Sequence, residues 1–464
     1  MILTEIGRYI EGVESCHFIG IGGVSMSPLA EILHSSGIKV TGSDMNESAA
    51  TRDLRALGID MKIGHHADNV TGAGYIIRTA AAREDNAEIE AARKLGIPVF
   101  ERAEAWGYIM CGYKDAICIS GVHGKTTTTS MVSHILLSAD VDPTIMIGGT
   151  LPAIESGCHV GNGDIIVLES CEYYNSFHNF HPTLAVILNI DADHLDFFKD
   201  LNGIKQSFCK FASLVPEDGY VICNGDDINT MEALSGLNRE LLTFGFGELA
   251  QSTGKHIRVR GVNAVMSGRN PSMDIFYDNK HVCSIKLIIP GKHNLMNALA
   301  AAAVCLSIGI SPKDIESGLF SYTGVCRRFE YKGSFNGADV FDDYAHHPCE
   351  LSALLDAVAT IDSYKRVILA FQPHTYTRTK ALFDDFSTQL KRADIVFLAD
   401  IYAAREKNEV GISSDDLAAV VPGARKVSEF SKLKDEIASI AQPGDIILTV
   451  GAGDIYKVGE DLVI

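Results

Sequence analysis

The sequence predicts an α/β fold built on parallel, helix-flanked sheets, and three observations predict it. Short apolar runs that read as buried strands recur along the chain, at 16–19, 75–77, 116–120, 165–168, 184–188, 367–371, 395–398 and 446–450. Segments with helical spacing, such as Ile89, Ala92 and Leu95, separate them. Most runs end in glycines or in carboxylates and histidines, and an open α/β sheet binds its ligand outside the carboxyl ends of its strands.

The totals set bounds. A length of 464 residues implies about two to four domains. Hydrophobic residues make up 46% and charged residues 21%, enough core for a globular enzyme. A formal charge of −19 leaves no basic surplus for a phosphate backbone, so nucleic acid is not an expected partner. Eleven cysteines are scattered without a C-x-x-C pair, which argues against a zinc or redox site and for a reducing cytoplasm. No basic segment followed by an apolar core opens the chain. The longest apolar stretch, 298–310, is too short for a bilayer, so no membrane insertion is expected.

The first segment runs to about residue 110. Its opening strand enters Gly20-Ile21-Gly22-Gly23-Val24-Ser25, a helix follows through Leu33, and a second strand ends in Ser43-Asp44. A glycine turn lets the backbone approach a pyrophosphate, the helix N-terminus favours its charge, and an acid after the second strand suits a ribose hydroxyl. Ser25 replaces the third glycine of the usual pattern and is small enough for close strand–helix packing. NAD is one cofactor such a loop suggests.

The middle segment carries the most telling stretch. The strand at 116–120 runs into Gly121-Val122-His123-Gly124-Lys125-Thr126-Thr127 and then a helix. This is a cradle for a nucleoside triphosphate: backbone N–H groups and the helix N-terminus meet the phosphates, Lys125 reaches the β/γ oxygens, and a threonine hydroxyl suits Mg²⁺. Gly121 stands four residues before Lys125, so the loop is one residue shorter than the common phosphate loop. Further on, one strand ends in Glu169-Ser170-Cys171-Glu172 and another in Asp191-Ala192-Asp193-His194-Leu195-Asp196, acids placed to hold nucleotide-bound Mg²⁺. Asn224-Gly225-Asp226-Asp227 reads as turn chemistry. Alternating runs over 250–290 suggest β-hairpins. Asn294 and Asn297 share one face of the next helix, where they suit an adenine edge, with N-capping as the other role for Asn294.

The last segment repeats the doubly wound pattern from about residue 326. Arg327-Arg328-Phe329 follows a glycine turn. Strands end in Asp342-Asp343-Tyr344-Ala345-His346-His347-Pro348, in Gln372-Pro373-His374-Thr375-Tyr376-Thr377-Arg378, and in Gly451-Ala452-Gly453, the last read as a tight turn.

Taken together these strings resemble the Mur ligase family over nearly the whole chain. Two of them, 342–348 and 371–379, point to the branch that adds alanine. The resemblance implies an α/β protein of three domains: a Rossmann-like domain for a UDP-sugar at 1–110, a central ATPase-type domain with its phosphate loop at 111–325, and a Rossmann-like domain for the amino acid at 326–464. It implies UDP-N-acetylmuramate, L-alanine and ATP as substrates, Mg²⁺ with Mn²⁺ as an alternative, and a cytoplasmic monomer or homodimer. It makes the first loop a UDP site, with Gly20, Gly22, Gly23, Ser25, Asp44 and His65 at the sugar nucleotide. It makes 121–127 with Asn294, Asn297 and Arg327 the ATP site, Thr126 (or Thr127) and Glu169 the Mg²⁺ ligands, and His194 the ligand of a second metal shared with the sugar carboxylate. Lys125, Glu169, His194, Arg327 and Asp343 become the catalytic set. Tyr344, His374 and Arg378 would place L-alanine, with His346 or His347 available as a base. The chain departs from the family at Ser170, Cys171, Tyr173 and Tyr174, where further acids are common, which leaves open whether Glu172 joins the metal site. Val122 stands where the family often has Thr.

Three rival readings stay on the page. A sibling ligase that adds a preformed peptide shares most motifs. An NAD-dependent dehydrogenase would use the first loop and leave 121–127 unexplained. A non-catalytic scaffold would not need Lys125, Glu169 and His194.

Overall fold

The computed structural model describes residues 5–247, 258–266, 270–361, 363–404 and 406–463, the side chains of Leu195 and Asp196 excepted. Part of the expected 250–290 hairpin region therefore lies outside the described residues. Three sheets carry the architecture. The first holds β1 (Ser15–Ile19), β2 (Lys39–Asp44), β3 (Asp60–Ile63), β4 (Tyr75–Arg78) and β5 (Val99–Glu101) in the order β3-β2-β1-β4-β5. Every pairing in it is parallel. The order reverses between β1 and β4, so the loop after β1 opens at the point where such sheets bind ligands.

The second sheet holds β6 (Asp115–Ser120), β7 (Thr144–Leu151), β8 (Ser156–His159), β9 (Ile165–Glu169), β10 (Leu184–Ile187), β11 (Tyr220–Asn224), β12 (Leu241–Gly245), β13 (Val259–Val265), β14 (Ser272–Tyr277) and β15 (Lys280–Lys286). Its order is β15-β14-β13-β12-β11-β10-β6-β9-β7-β8. β6 sits between β10 and β9, parallel to both. Ala116 to Ser120 are all buried, as a strand covered on both faces requires. The third sheet holds β16 (Glu330–Phe335), β17 (Ala338–Asp343), β18 (Arg366–Phe371), β19 (Ile395–Leu398), β20 (Arg425–Lys426) and β21 (Asp445–Val450), ordered β16-β17-β21-β18-β19-β20. It is parallel except for the β16–β17 edge.

The chain condenses into two compact units. One comprises Met1–Val262, Asp274–Ser284 and Asn297–Leu319; the other comprises Asn263–Met273, Ile285–Met296 and Phe320–Ile464. The first sheet and most of the second thus share a unit. The helix Arg102–Met110 joins them: its Trp106, the chain's one tryptophan, is buried and donates to the Ser25 carbonyl at 2.9 Å, while Met110 Sδ accepts from the His181 amide at 2.9 Å. The alanine-rich stretch is the helix Lys292–Ser307, and among the described residues no helix is long and apolar enough to cross a membrane.

Candidate active site

The phosphate loop follows β6 and opens the helix Lys125–Ser138. Gly121 has φ +142, and a Cβ there would stand 2.9 Å from Leu188 Cβ, so only glycine fits against the end of β10. Asn189 splints the loop. Its Oδ1 accepts from His123 N at 2.8 Å, its Nδ2 donates to the His123 carbonyl at 2.9 Å, and its own carbonyl accepts from Val122 N at 3.2 Å. The amides of Val122 and His123, expected at the phosphates, are therefore engaged by Asn189. The first intrahelical bond runs from Thr128 N to Gly124 O, which leaves the amides of Lys125, Thr126 and Thr127 as the orphan donors of the first turn. Three unpaired amides at a helix N-terminus suit an anion. Asn297 reaches the same loop: a Cβ on Gly124 would lie 2.6 Å from Asn297 Oδ1. Asn294 donates to the carbonyl of Pro290, two residues before its helix begins, at 2.7 Å.

Lys125 Nζ curls onto its own loop. It donates to the Gly121 carbonyl at 2.6 Å and to both oxygens of Glu172, at 3.0 and 3.2 Å. Burial alone would depress this amine; the Glu172 carboxylate overrides it and raises the pKa, so the ammonium stays charged. Thr126 Oγ1 donates to Glu169 Oε1 at 3.0 Å, and Glu169 Oε2 accepts from Gly148 N at 2.8 Å. A hydroxyl and a carboxylate oxygen at this spacing are hard donors that fit Mg²⁺. His194, expected at a second metal, has other neighbours. Its Nε2 lies 3.7 Å from Glu172 and 3.8 Å from Asp193, and no group of three His, Cys, Asp or Glu side chains fit for a metal occurs among the described residues. Glu172 thus bridges Lys125 and His194. The backbone here is strained: Tyr174, Asn175 and His194 all hold φ between +50 and +56. The His194 ring stacks on Tyr173 at 4.3 Å.

The first glycine loop is held by other means. Gly22 N donates to Asp44 Oδ2 at 2.9 Å, and a Cβ on Gly22 would meet Thr51 at 2.7 Å. The Ser43 carbonyl accepts from Gly20 and Ile21. Ser25 Oγ accepts from Arg102, a cation absent from the sequence reading. His65 joins Ser43 Oγ at 2.9 Å and Glu88 at 3.1 Å. Gly23 completes the turn by donating to the Gly20 carbonyl.

In the second unit Arg327, at φ +62, is locked from several sides. Nε donates to Asp342 at 3.0 Å, Nη2 to the Gly451 carbonyl at 2.5 Å, and the guanidinium lies 5.0 Å from the Tyr344 ring and 4.6 Å from that of Tyr456. Gly451 is therefore an acceptor in this cluster as well as part of a turn. Asp343, expected to act with Arg327 on ATP, accepts from the amides of Phe329 and Ala345 at 2.7 and 2.8 Å, and burial pushes its carboxyl up to about 6. Arg378 donates to His374 Nδ1 at 3.0 Å, which fixes that nitrogen as an acceptor. Burial, with the neighbouring His346 and Arg378, pushes His374 down to about 4. Its ring meets His346 edge-on at 5.6 Å and stacks on Tyr402 at 5.7 Å. His347 serves as a cap: its Nδ1 accepts from Cys349 N at the start of the helix Pro348–Ala359.

Comparison with known proteins assigns the architecture. The description "Mur ligase family, catalytic domain" matches residues 15–114, "Mur ligase middle domain" matches 119–305, and "Mur ligase, glutamate ligase domain" matches 327–453. The chain belongs to the Mur ligase family. Among curated relatives of this Mur ligase, the UDP-N-acetylmuramate–L-alanine ligase of Clostridium novyi is 44% identical over 96% of both chains. That of Acetivibrio thermocellus is 46% identical over 96% of this chain and 94% of its own. The solved UDP-N-acetylmuramate-alanine ligase of Thermotoga maritima superposes with a TM-score of 0.79 at 30% identity, covering 97% of this chain and 98% of its own. A murein peptide ligase from Psychrobacter arcticus, at 21% identity and a TM-score of 0.70 over 96% and 97%, shares the fold.

Proposed function

We propose that this Mur ligase is an ATP-dependent enzyme that joins L-alanine to the carboxylate of UDP-N-acetylmuramate in peptidoglycan precursor synthesis. The observation that carries the reading is identity of 44–46%, nearly end to end, with chains named for that reaction. The muramyl carboxylate attacks the γ-phosphorus of ATP, ADP leaves, and an acyl phosphate forms. The amine of L-alanine then attacks the carbonyl carbon; the carbon–oxygen bond to phosphate breaks, and the amine loses a proton.

Negative charges crowd together in the first step, so catalysis rests on cations and oriented dipoles. Lys125 swings from Glu172 to the β/γ oxygens, and the amides of Lys125, Thr126 and Thr127 hold the phosphates. Mg²⁺, with Mn²⁺ as a substitute, would rest on Thr126 and Glu169 and neutralise phosphate charge; His194, 3.7 Å from Glu172, would hold a second metal shared with the muramyl carboxylate. Asn297 reads the adenine. On the second unit Arg378 pairs with the carboxylate of L-alanine. Tyr344 and His374 shape that pocket, and His346, held below its ordinary pKa mainly by burial, is neutral and able to take the proton. Domains at 1–110, 111–325 and 326–464, and a cytoplasmic location, belong to the same proposal.

The test gives purified protein UDP-N-acetylmuramate, ATP and Mg²⁺ with L-alanine, glycine, L-serine or a tripeptide, and follows phosphate release. L-Alanine supports the fastest release. Release with the tripeptide but not with L-alanine overturns the reading in favour of the peptide-adding sibling.

A further inference from the structure

Behind the first glycine loop lies a buried carboxylate that the reaction does not use. Glu88 is the second residue of the helix Ala87–Leu95 and is 0% exposed. The helix N-terminus favours its charge, but a buried carboxylate needs partners. It has five. Ser43 Oγ donates at 2.6 Å, Asn69 Nδ2 at 2.5 Å, His65 Nδ1 at 3.1 Å and the His66 amide at 3.4 Å, while His17 Nε2 lies 3.8 Å away. Burial opposes ionisation, yet the hydrogen bonds from His65, Ser43 and Asn69, with His17 close by, hold this carboxyl far below the usual range.

Two of these partners belong to the loop's support. The Ser43 carbonyl accepts the Gly20 and Ile21 amides at 2.8 and 3.0 Å while its hydroxyl is spent on Glu88. His65 spends Nδ1 on Glu88 and Ser43, so Nε2 is left for a ligand on a side chain 15% exposed. We propose that Glu88 is a positioning residue for the sugar-nucleotide site: it clamps His65 by Nδ1, presents Nε2–H as a cationic donor to the diphosphate, and pins the end of β2 that carries the glycine loop. The inference rests on reading that loop as the UDP-sugar site.

The charge follows from the surroundings. The Glu88 hydrogen bond raises the His65 pKa against burial, and the negative charges of Glu88 and Asp44 add to it. The groups facing His65 are Glu88 from the helix Ala87–Leu95, Ser43 and Asp44 from β2, and Asn69 and the His66 amide from its own segment; His17 from β1 faces Glu88. The imidazolium therefore persists to higher pH than that of a free histidine.

Glu88→Gln and His65→Gln test this, by calorimetric binding of UDP-N-acetylmuramate across pH, steady-state kinetics and NMR titration of the His65 ring. Glu88→Gln weakens sugar-nucleotide binding and raises its KM by roughly tenfold, about one charge-assisted hydrogen bond, with kcat and the KM for ATP unchanged. It also moves the His65 midpoint down toward the ordinary value of about 6.5. His65→Gln weakens binding similarly and makes it independent of pH. Unchanged affinity in Glu88→Gln, or weakening without movement of the His65 midpoint, overturns the proposal. Should Glu88→Gln not fold, His65→Gln decides: a pH profile like that of the parent overturns it. The parent is assayed first. Failure to bind UDP-N-acetylmuramate while binding NAD sinks the functional reading itself, whatever the variants do.

Discussion

The two glycine loops of the first unit share one local grammar and handle phosphate differently. Each follows a central parallel strand, β1 or β6, and each opens a helix. At 20–25 the loop is held from the side by β2: Asp44 takes the Gly22 amide and the Ser43 carbonyl takes two more. At 121–127 it is held from the next strand by Asn189, and its lysine lies folded against the buried carboxylate of Glu172. The first loop has no lysine; its cations are Arg102, on Ser25, and His65, on Glu88. A pyrophosphate that is only bound needs a shaped turn and a modest cation. A γ-phosphoryl group that leaves needs a permanent charge that can follow it.

The largest expected effect is the loss of that charge. Lys125→Ala lowers kcat with saturating ATP by about a thousandfold or more. Calorimetric affinity for UDP-N-acetylmuramate stays within about twofold, because the first loop shares none of its supports. A parallel loss of sugar-nucleotide binding breaks the division of labour between the loops.

Asn189→Ala comes next. It removes two side-chain hydrogen bonds to His123, each worth about 1 kcal/mol net, and leaves the loop less well ordered. The KM for ATP rises by roughly ten- to thirtyfold while that for the UDP-sugar is unmoved. An unchanged KM for ATP shows that the glycines alone order the loop.

pH separates the loops as well. Lys125 has a raised pKa and stays charged through the whole working range. His65, also raised, holds its proton more tightly folded than unfolded. Its contribution to stability is therefore full below the unfolded value of about 6.5 and is lost as pH rises through the folded value. The KM for UDP-N-acetylmuramate climbs over that window and the KM for ATP does not. Both rising together would place the titrating group elsewhere.

How much of this was legible in the sequence depends on how far each partner lies along the chain. Strand–glycine–helix units declare themselves within about fifteen residues, so both loops, Lys125 and the acids at the ends of β9 and β10 could be read directly. Glu88 and Asn189 could not, because they are ordinary residues whose partners are 19 to 71 positions away (Asn69 and His17 for Glu88, Val122 and His123 for Asn189). Arg327 shows a signal that was present and missed. Of the adjacent Asp342 and Asp343, only the second was given a role, fixing ATP together with Arg327. Successive strand residues face opposite sides, and β17 alternates buried and half-buried from Ala338 through Val340 to Asp342. That phase alone puts Asp342 on the inner face, where it pairs with Arg327 and Thr449 Oγ1. Glu172 is a mixed case: its place after Glu169 was visible, but its partner Lys125 lies 47 positions away, and the positive φ of Tyr174, Asn175 and His194 around it is a backbone state that no propensity favours.

The smallest expected effect concerns the position where the first loop departs from the glycine pattern. Ser25 gives its carbonyl to Trp106 Nε1 and its hydroxyl to Arg102, so the side chain links the loop to the helix Arg102–Met110. Ser25→Gly keeps the carbonyl bond and loses only the hydroxyl. The Arg102 guanidinium is then freed from the loop but not removed from it. The KM for UDP-N-acetylmuramate should rise by no more than about threefold, under 1 kcal/mol, with kcat and the ATP parameters unchanged. Arg102→Ala distinguishes what the hydroxyl was for. If it acts only as a tether, Arg102→Ala and Ser25→Gly cost the same and the double variant costs no more than either. If the tether aims a cation that the diphosphate itself meets, Arg102→Ala costs clearly more, and the first loop carries a fixed charge after all. The contrast with Lys125 would then be one of mobility: a guanidinium anchored by serine for a ligand that stays, an ammonium leaning on Glu172 for a phosphoryl group that leaves.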